Sequence, residues 1–325
     1  MRVPALLLAA CVLIGPPALA AEKADIEACQ ASKPGESIAA CTRLVDDLNL
    51  PPNVRALGLW NRALARQSED FEGAMADLEQ AIRIDPASAS AYAVRAGLYK
   101  NAGKIDPAIS DMNEAISIAP KSAFFFNLRG ELYASKKDYE HALADFTEAV
   151  KLRVNYADAY WNRGEANWSR DDRKSAIADF TEVIRLEPYL SRGYAARGEL
   201  HQLQGNHGLA ITDFDNLLRF DKGSYGGFVA RGNSYRAKGK LDLAIADYNE
   251  ALRILPSLVS AYHNRGIAYR MKGDRKHAIA DFQEVVRIAP LASAASLKEL
   301  QALGVKGPKT EQDAMKQGVL DLLKR

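Results

Sequence analysis

Seven alanines set 34 residues apart constrain this chain more than any other feature of its sequence. Ala74, Ala108, Ala142, Ala176, Ala210, Ala244 and Ala278 follow one another at that spacing without an insertion. Three residues after each stands an aspartate: Asp77, Asp111, Asp145, Asp179, Asp213, Asp247 and Asp281. A large apolar or aromatic residue comes next: Leu78, Met112, Phe146, Phe180, Phe214, Tyr248 and Phe282. Twelve residues before six of the alanines lies a small residue: Ala96, Gly130, Gly164, Gly198, Gly232 and Gly266. In the first copy Ala63 takes this role one residue nearer, so its turn is one residue shorter. Each copy has apolar residues at helical spacing in both halves, for example Tyr92, Ala96 and Tyr99, then Ala108, Met112, Ala115 and Ile116. One such helix pair cannot bury its apolar face alone, and stacked copies share a continuous core.

Five copies close on a proline, at Pro86, Pro120, Pro188, Pro256 and Pro290. A 34-residue copy with small residues at its eighth and twentieth positions, an aromatic at the twenty-fourth and a terminal proline resembles the tetratricopeptide repeat. The resemblance covers seven copies over residues 55–290. It implies an all-α, right-handed superhelical solenoid of seven helix-turn-helix units with helical caps. Two departures stand out. Val154 and Lys222 replace closing prolines, and the seventh position is arginine throughout: Arg62, Arg95, Arg129, Arg163, Arg197, Arg231 and Arg265. In an antiparallel hairpin the seventh and twenty-third positions come level, so each arginine is expected to pair with the aspartate of its own copy. A structural ion pair accounts for this recurrence better than a ladder for a charged ligand. The junction with Lys222, Gly223, Gly226 and Gly227 is expected to be the softest, because glycines in a helix cost about 1 kcal/mol each relative to alanine.

The ends differ from the repeats. Within residues 1–20 a short positive start at Arg2 precedes an apolar run from Ala5 to Ile14, and Ala18-Leu19-Ala20 offers a cleavage site. This reads as a secretory signal peptide, too short to span a membrane. Leu8-Ala9-Ala10-Cys11 offers the competing reading of a lipoprotein anchored through Cys11. The expected location is periplasmic or secreted. Residues 21–54 read as a degenerate helical hairpin in which Cys29 and Cys41, each six residues from Gly35, form a disulfide. Closing so short a loop contributes about 3 kcal/mol. Residues 291–325 read as capping helices, the second opening at Thr310 and Asp313.

No motif for chemistry emerges. His141, His201, His207, His263 and His277 fall in no metal-ligand spacing, no nucleophile elbow or phosphate-cradling loop is present, and Cys29 and Cys41 are needed for the bridge. No catalytic residue, metal or cofactor is therefore expected. A net charge of +2, with basic and acidic residues interleaved, gives no basic stripe for nucleic acid and no polybasic membrane patch. What remains is a surface for a protein or peptide. The family resemblance implies that the first helix of each copy lines a concave groove through its second, fifth, ninth and twelfth positions. Carried over, these are Trp60, Phe124, Asn127, Glu131, Trp161, Glu165, Trp168, Glu199, Arg236, His263 and Arg270. Trp161 and Trp168, seven residues apart on one helix face, are the expected anchors, unless their rings are partly buried packing residues.

Overall fold

Every repeat folds as two antiparallel helices, because its two apolar stripes at helical spacing can be buried only against each other and against the next pair. The computed structural model describes residues 18–30, 34–305, 310–313 and 315–316; the signal-peptide reading, with Cys11, falls largely outside them. The chain divides into two compact units, Met1–Val154 and Asn155–Arg325. The division lies at the junction where Val154 stands in place of a proline.

The first unit holds α1 (Ala18–Cys29), α2 (Pro34–Asp46), α3 (Pro52–Arg66), α4 (Phe71–Ile84), α5 (Ala89–Asn101), α6 (Ile105–Ile118), α7 (Ala123–Ser135) and α8 (Tyr139–Leu152). The second holds α9 (Ala157–Ser169), α10 (Arg173–Leu186), α11 (Ser191–Leu203), α12 (His207–Phe220), α13 (Tyr225–Ala237), α14 (Leu241–Ile254), α15 (Val259–Met271), α16 (Arg275–Ile288) and α17 (Ala294–Ala302). Among the described residues there is no strand. Within each unit, every helix packs on the next in chain order. The fold is an all-α stack of helix pairs.

The small residue at the eighth position faces the large one at the twenty-fourth. A Cβ added at Gly130 would lie 2.6 Å from the Phe146 ring, and one at Gly266 would lie 2.7 Å from that of Phe282. These contacts are too close for any side chain, so glycine is required where the facing residue is aromatic. In the first two repeats the facing residues are Leu78 and Met112, and the small residues are Ala63 and Ala96. Size is thus matched within each pair.

Each seventh-position arginine grips the aspartate of its own repeat with two hydrogen bonds. Arg95 donates from Nε and Nη2 to Asp111 at 2.8 and 2.7 Å, and Arg265 does the same to Asp281 at 2.9 and 2.7 Å. The corresponding pairs are Arg62–Asp77, Arg129–Asp145, Arg163–Asp179, Arg197–Asp213 and Arg231–Asp247. Asp77 follows Arg62 by 15 residues and the others follow by 16, which is the shorter first turn. All seven aspartates are buried. Arg95, Arg129, Arg163, Arg231 and Arg265 also stack on the ring at the fourth position, as Arg163 does on Tyr160 (5.5 Å) and Arg265 on Tyr262 (5.3 Å). A planar fork that bonds a carboxylate and lies on a ring explains why arginine, not lysine, recurs. The third nitrogen reaches the preceding repeat: Nη1 of Arg129 donates to Asn113, that of Arg231 to Asp215 and that of Arg265 to Asn249. These three arginines therefore tie their repeats to the preceding one as well as closing their own.

The closing prolines are dispensable for the helix stop. Arg153 and Asp221, at junctions without proline, adopt the same extended turn (φ −140° and −125°) as Asp85 and Leu255 before prolines. At the Lys222 junction the Asp221 side chain accepts the Gly223 N–H, and Ser224 caps α13. Gly227 there is a packing requirement, because its Cβ would meet Leu217 at 2.5 Å.

The two ends cover the stack. Cys29 and Cys41 form a disulfide across the α1–α2 hairpin, with Cα atoms 4.7 Å apart. Cys29, Cys41 and Leu44 are buried with Val54 at the start of α3. At the other end, Leu297 and Leu300 of α17 are buried, and Leu300 packs with Ala278 and Phe282 of the last repeat. The Asp313 N–H donates to Thr310 Oγ1 at 3.1 Å, the start of the expected final helix, most of which lies outside the described residues.

Candidate functional site

The first helices of the repeats present residues that the stacking core does not consume. In the first unit, Trp60 is half-buried against the first repeat's core, and Phe124 is half-buried against that of its neighbours. Asn127 is buried and donates to Glu131. Glu131 also takes the ammonium of Lys100, at 2.8 Å, from the first helix of the preceding repeat. The acid expected in this part of the groove is therefore already neutralised.

In the second unit the two tryptophans of α9 clasp one ring. Trp161 lies 5.2 Å and Trp168 6.2 Å from Phe180 of α10. The guanidinium of Arg192, held by Asp158 and Glu187, covers Trp161 at 5.3 Å. Both indoles are half-buried and pack against the core. Glu165, between them in sequence, is exposed.

A pocket of about 310 Å³ opens along α11, α13 and the start of α15. It is lined by Glu199, Gln202, Leu203, Tyr225, Gly226, Val229, Ala230, Asn233, Leu258 and Ser260. Glu199, Gln202, Gly226, Val229, Asn233 and Ser260 occupy the second, fifth, ninth or twelfth positions of their repeats. The periodic rule thus marked this wall, but the residues selected from it included only Glu199 of these. The surrounding protein raises the pKa of the Glu199 carboxyl above its ordinary value by desolvation. Gln202 donates both amide hydrogens, to the Ala230 carbonyl and to Ser234, and Asn233 accepts the Tyr248 hydroxyl.

Beyond the pocket, the basic positions are drawn into the cap. Arg270 pairs with Glu299 of α17 at 3.1 Å, and His263 Nδ1 lies 2.8 Å from the Ser296 hydroxyl on the same helix. Burial holds the His263 imidazole below its usual pKa, against the opposing charge of Glu299. Arg236 is half-buried, and its Nε has no hydrogen-bond partner among the described residues. His201 is half-buried with its Nε2 3.9 Å from Asp213. His141 and His277 lie on the opposite helices, exposed, each bonded to its N-cap aspartate and stacked on a tyrosine at 5.0 Å. Among the described residues no helix is long and apolar enough to cross a membrane.

Comparison with known proteins yields one family. Models described as TPR repeat match residues 130–170 and 232–273. Models described as tetratricopeptide repeat match residues 63–88, 89–122, 157–189 and 259–292. No curated protein matches the sequence. Among solved structures, the C-terminal part of a TPR repeat-containing protein from Cytophaga hutchinsonii is 18% identical, with a TM-score of 0.63 over 73% of this chain and 97% of that one. A tetratricopeptide repeat protein from Parabacteroides merdae is 21% identical, with a TM-score of 0.52 over 76% of this chain and 98% of its own. YrrB, described as a TPR protein with an unusual peptide-binding site, is 20% identical, with a TM-score of 0.53 over 58% of this chain and 97% of its own. These likenesses concern the fold.

Proposed function

Because the chain belongs to the tetratricopeptide-repeat family, we propose that it is a non-enzymatic adaptor that holds a segment of another protein along the face formed by its first helices. The observation that carries this reading is a surface the fold does not need: the exposed carboxylate of Glu165 between two half-buried indoles, and the pocket at Glu199. Aromatic faces supply binding energy at such surfaces, and uncompensated charges set orientation and association rate. The peptide-binding site named for YrrB is a parallel in the same fold class. With Glu131 and Arg270 already paired, the acid available to a partner is concentrated at Glu165 and Glu199. A partner segment carries its basic part there. Reversing Glu165 to lysine is expected to lower the association rate about tenfold at low salt, to flatten its salt dependence, and to leave the melting curve unchanged. An unchanged rate with the native partner would refute this reading.

The N-terminal sequence supports export, and the Cys29–Cys41 bridge fits an oxidising compartment such as the periplasm. A soluble exported protein is expected to begin at Ala21. A lipid-anchored accessory factor of the cell envelope would begin at an acylated Cys11. The intact mass of the protein from its native cells separates the two, and a mass that retains residues 1–20 contradicts both.

A further inference from the structure

We propose that the pocket between the first helices of the fifth and sixth repeats, α11 and α13, receives a lysine or arginine side chain of the bound segment. The inference rests on the adaptor reading and specifies what one position of the partner must be. Three features of the pocket define this occupant. It is lined by Glu199, for which no cation is supplied among the described residues, whereas Glu131 at the same position of the third repeat is paired with Lys100. Beside it, Gln202 has both amide hydrogens committed to Ala230 and Ser234, which leaves its carbonyl oxygen as the available group. An acid and an acceptor together select a donor with positive charge. Leu203, Val229 and Leu258 supply apolar wall, beside the polar Asn233 and Ser260, and suit the methylene stem of a long basic side chain. The space exists because position 226 is glycine: a Cβ there would meet no atom within 4 Å, whereas one at the neighbouring Gly227 would strike Leu217. Glu199 is exposed, so its carboxylate is open to an incoming cation.

The test uses random dodecapeptides selected by ribosome display on the full mature chain. Selected peptides are expected to share a lysine or arginine. Its replacement by norleucine should weaken binding at least about tenfold on the wild-type protein, or 1.4 kcal/mol. On Glu199→Gln the same replacement should cost less than about threefold, so that the two changes are coupled. Gly226→Leu fills the pocket at a site with room for the side chain, and is expected to abolish the preference while retaining the melting temperature. If peptides bind and Glu165→Lys weakens them, but the norleucine loss is the same on Glu199→Gln, the pocket assignment fails and the adaptor reading stands. If no selected peptide is sensitive to Glu165→Lys, both fail.

Discussion

Replacing Arg231 by methionine is expected to destabilise the sixth repeat by about 3 kcal/mol at neutral pH, because removing one partner of a buried pair leaves the other charge without compensation. Asp247 is 5% exposed, and its carboxylate is held by Nε and Nη2 of Arg231 at 2.9 and 2.6 Å. Burial already lifts the Asp247 carboxyl above its ordinary pKa, and the Arg231 hydrogen bonds oppose that rise. Without the guanidinium the folded-state pKa climbs further, while the unfolded value stays put. The deficit of the variant is therefore full above the raised pKa and shrinks as pH falls through it, where the buried carboxyl becomes neutral. Repeats contact only their neighbours, so the loss should be local. Amide exchange in α13 and α14 is expected to accelerate about a hundredfold, with little change in the first unit. The double variant Arg231→Met with Asp247→Leu, which removes both charges, should regain most of the loss. A single variant costing less than about 1 kcal/mol would show that the pair is an ordinary surface bridge.

Truncating Phe146 to alanine is expected to cost about 4 kcal/mol, the usual penalty for emptying a buried aromatic site. The informative variant is its partner. Gly130→Ala places a methyl group 2.6 Å from Cε1 of the Phe146 ring and is expected to cost about 2 kcal/mol through overpacking, although alanine is the better helix former. The second repeat shows the remedy, with Ala96 facing Met112. Combining Gly130→Ala with Phe146→Met should therefore cost at least about 1 kcal/mol less than the two single changes together. Additive losses would mean that the size match between these positions is incidental. Urea unfolding of the single and double variants decides the matter.

What could be read from the sequence follows from what repeats with the period. The arginine and aspartate of every repeat recur at fixed positions, so helical geometry alone brings them together, and all seven pairs form as expected. The same holds for the small and large residues between paired helices. Arg153 and Asp221 stop their helices without the closing proline, so the helix end does not depend on that one residue. The candidate site was legible as a face but not as a set of free groups. Glu131 meets Lys100 31 residues away, and Arg270 meets Glu299 in the cap, through side chains that do not repeat. The tryptophans were expected as anchors unless partly buried, and both are half-buried, each packed on Phe180 at the twenty-fourth position. The pocket depends on a missing side chain at Gly226, which reads in the sequence as a flexible joint and serves in the structure as an opening.

The central claim is that the partner lies on the face formed by the first helices. It is tested most directly by placing the photo-crosslinker benzoylphenylalanine at single positions of the protein in its native cells. Position 165 lies on α9 within that face, and position 178, also exposed, lies on α10. Illumination is expected to yield a discrete adduct from position 165, mapping by mass spectrometry to a basic segment of one partner, and none from position 178. An adduct from position 178 with none from position 165 would place the partner on the second helices and contradict the account.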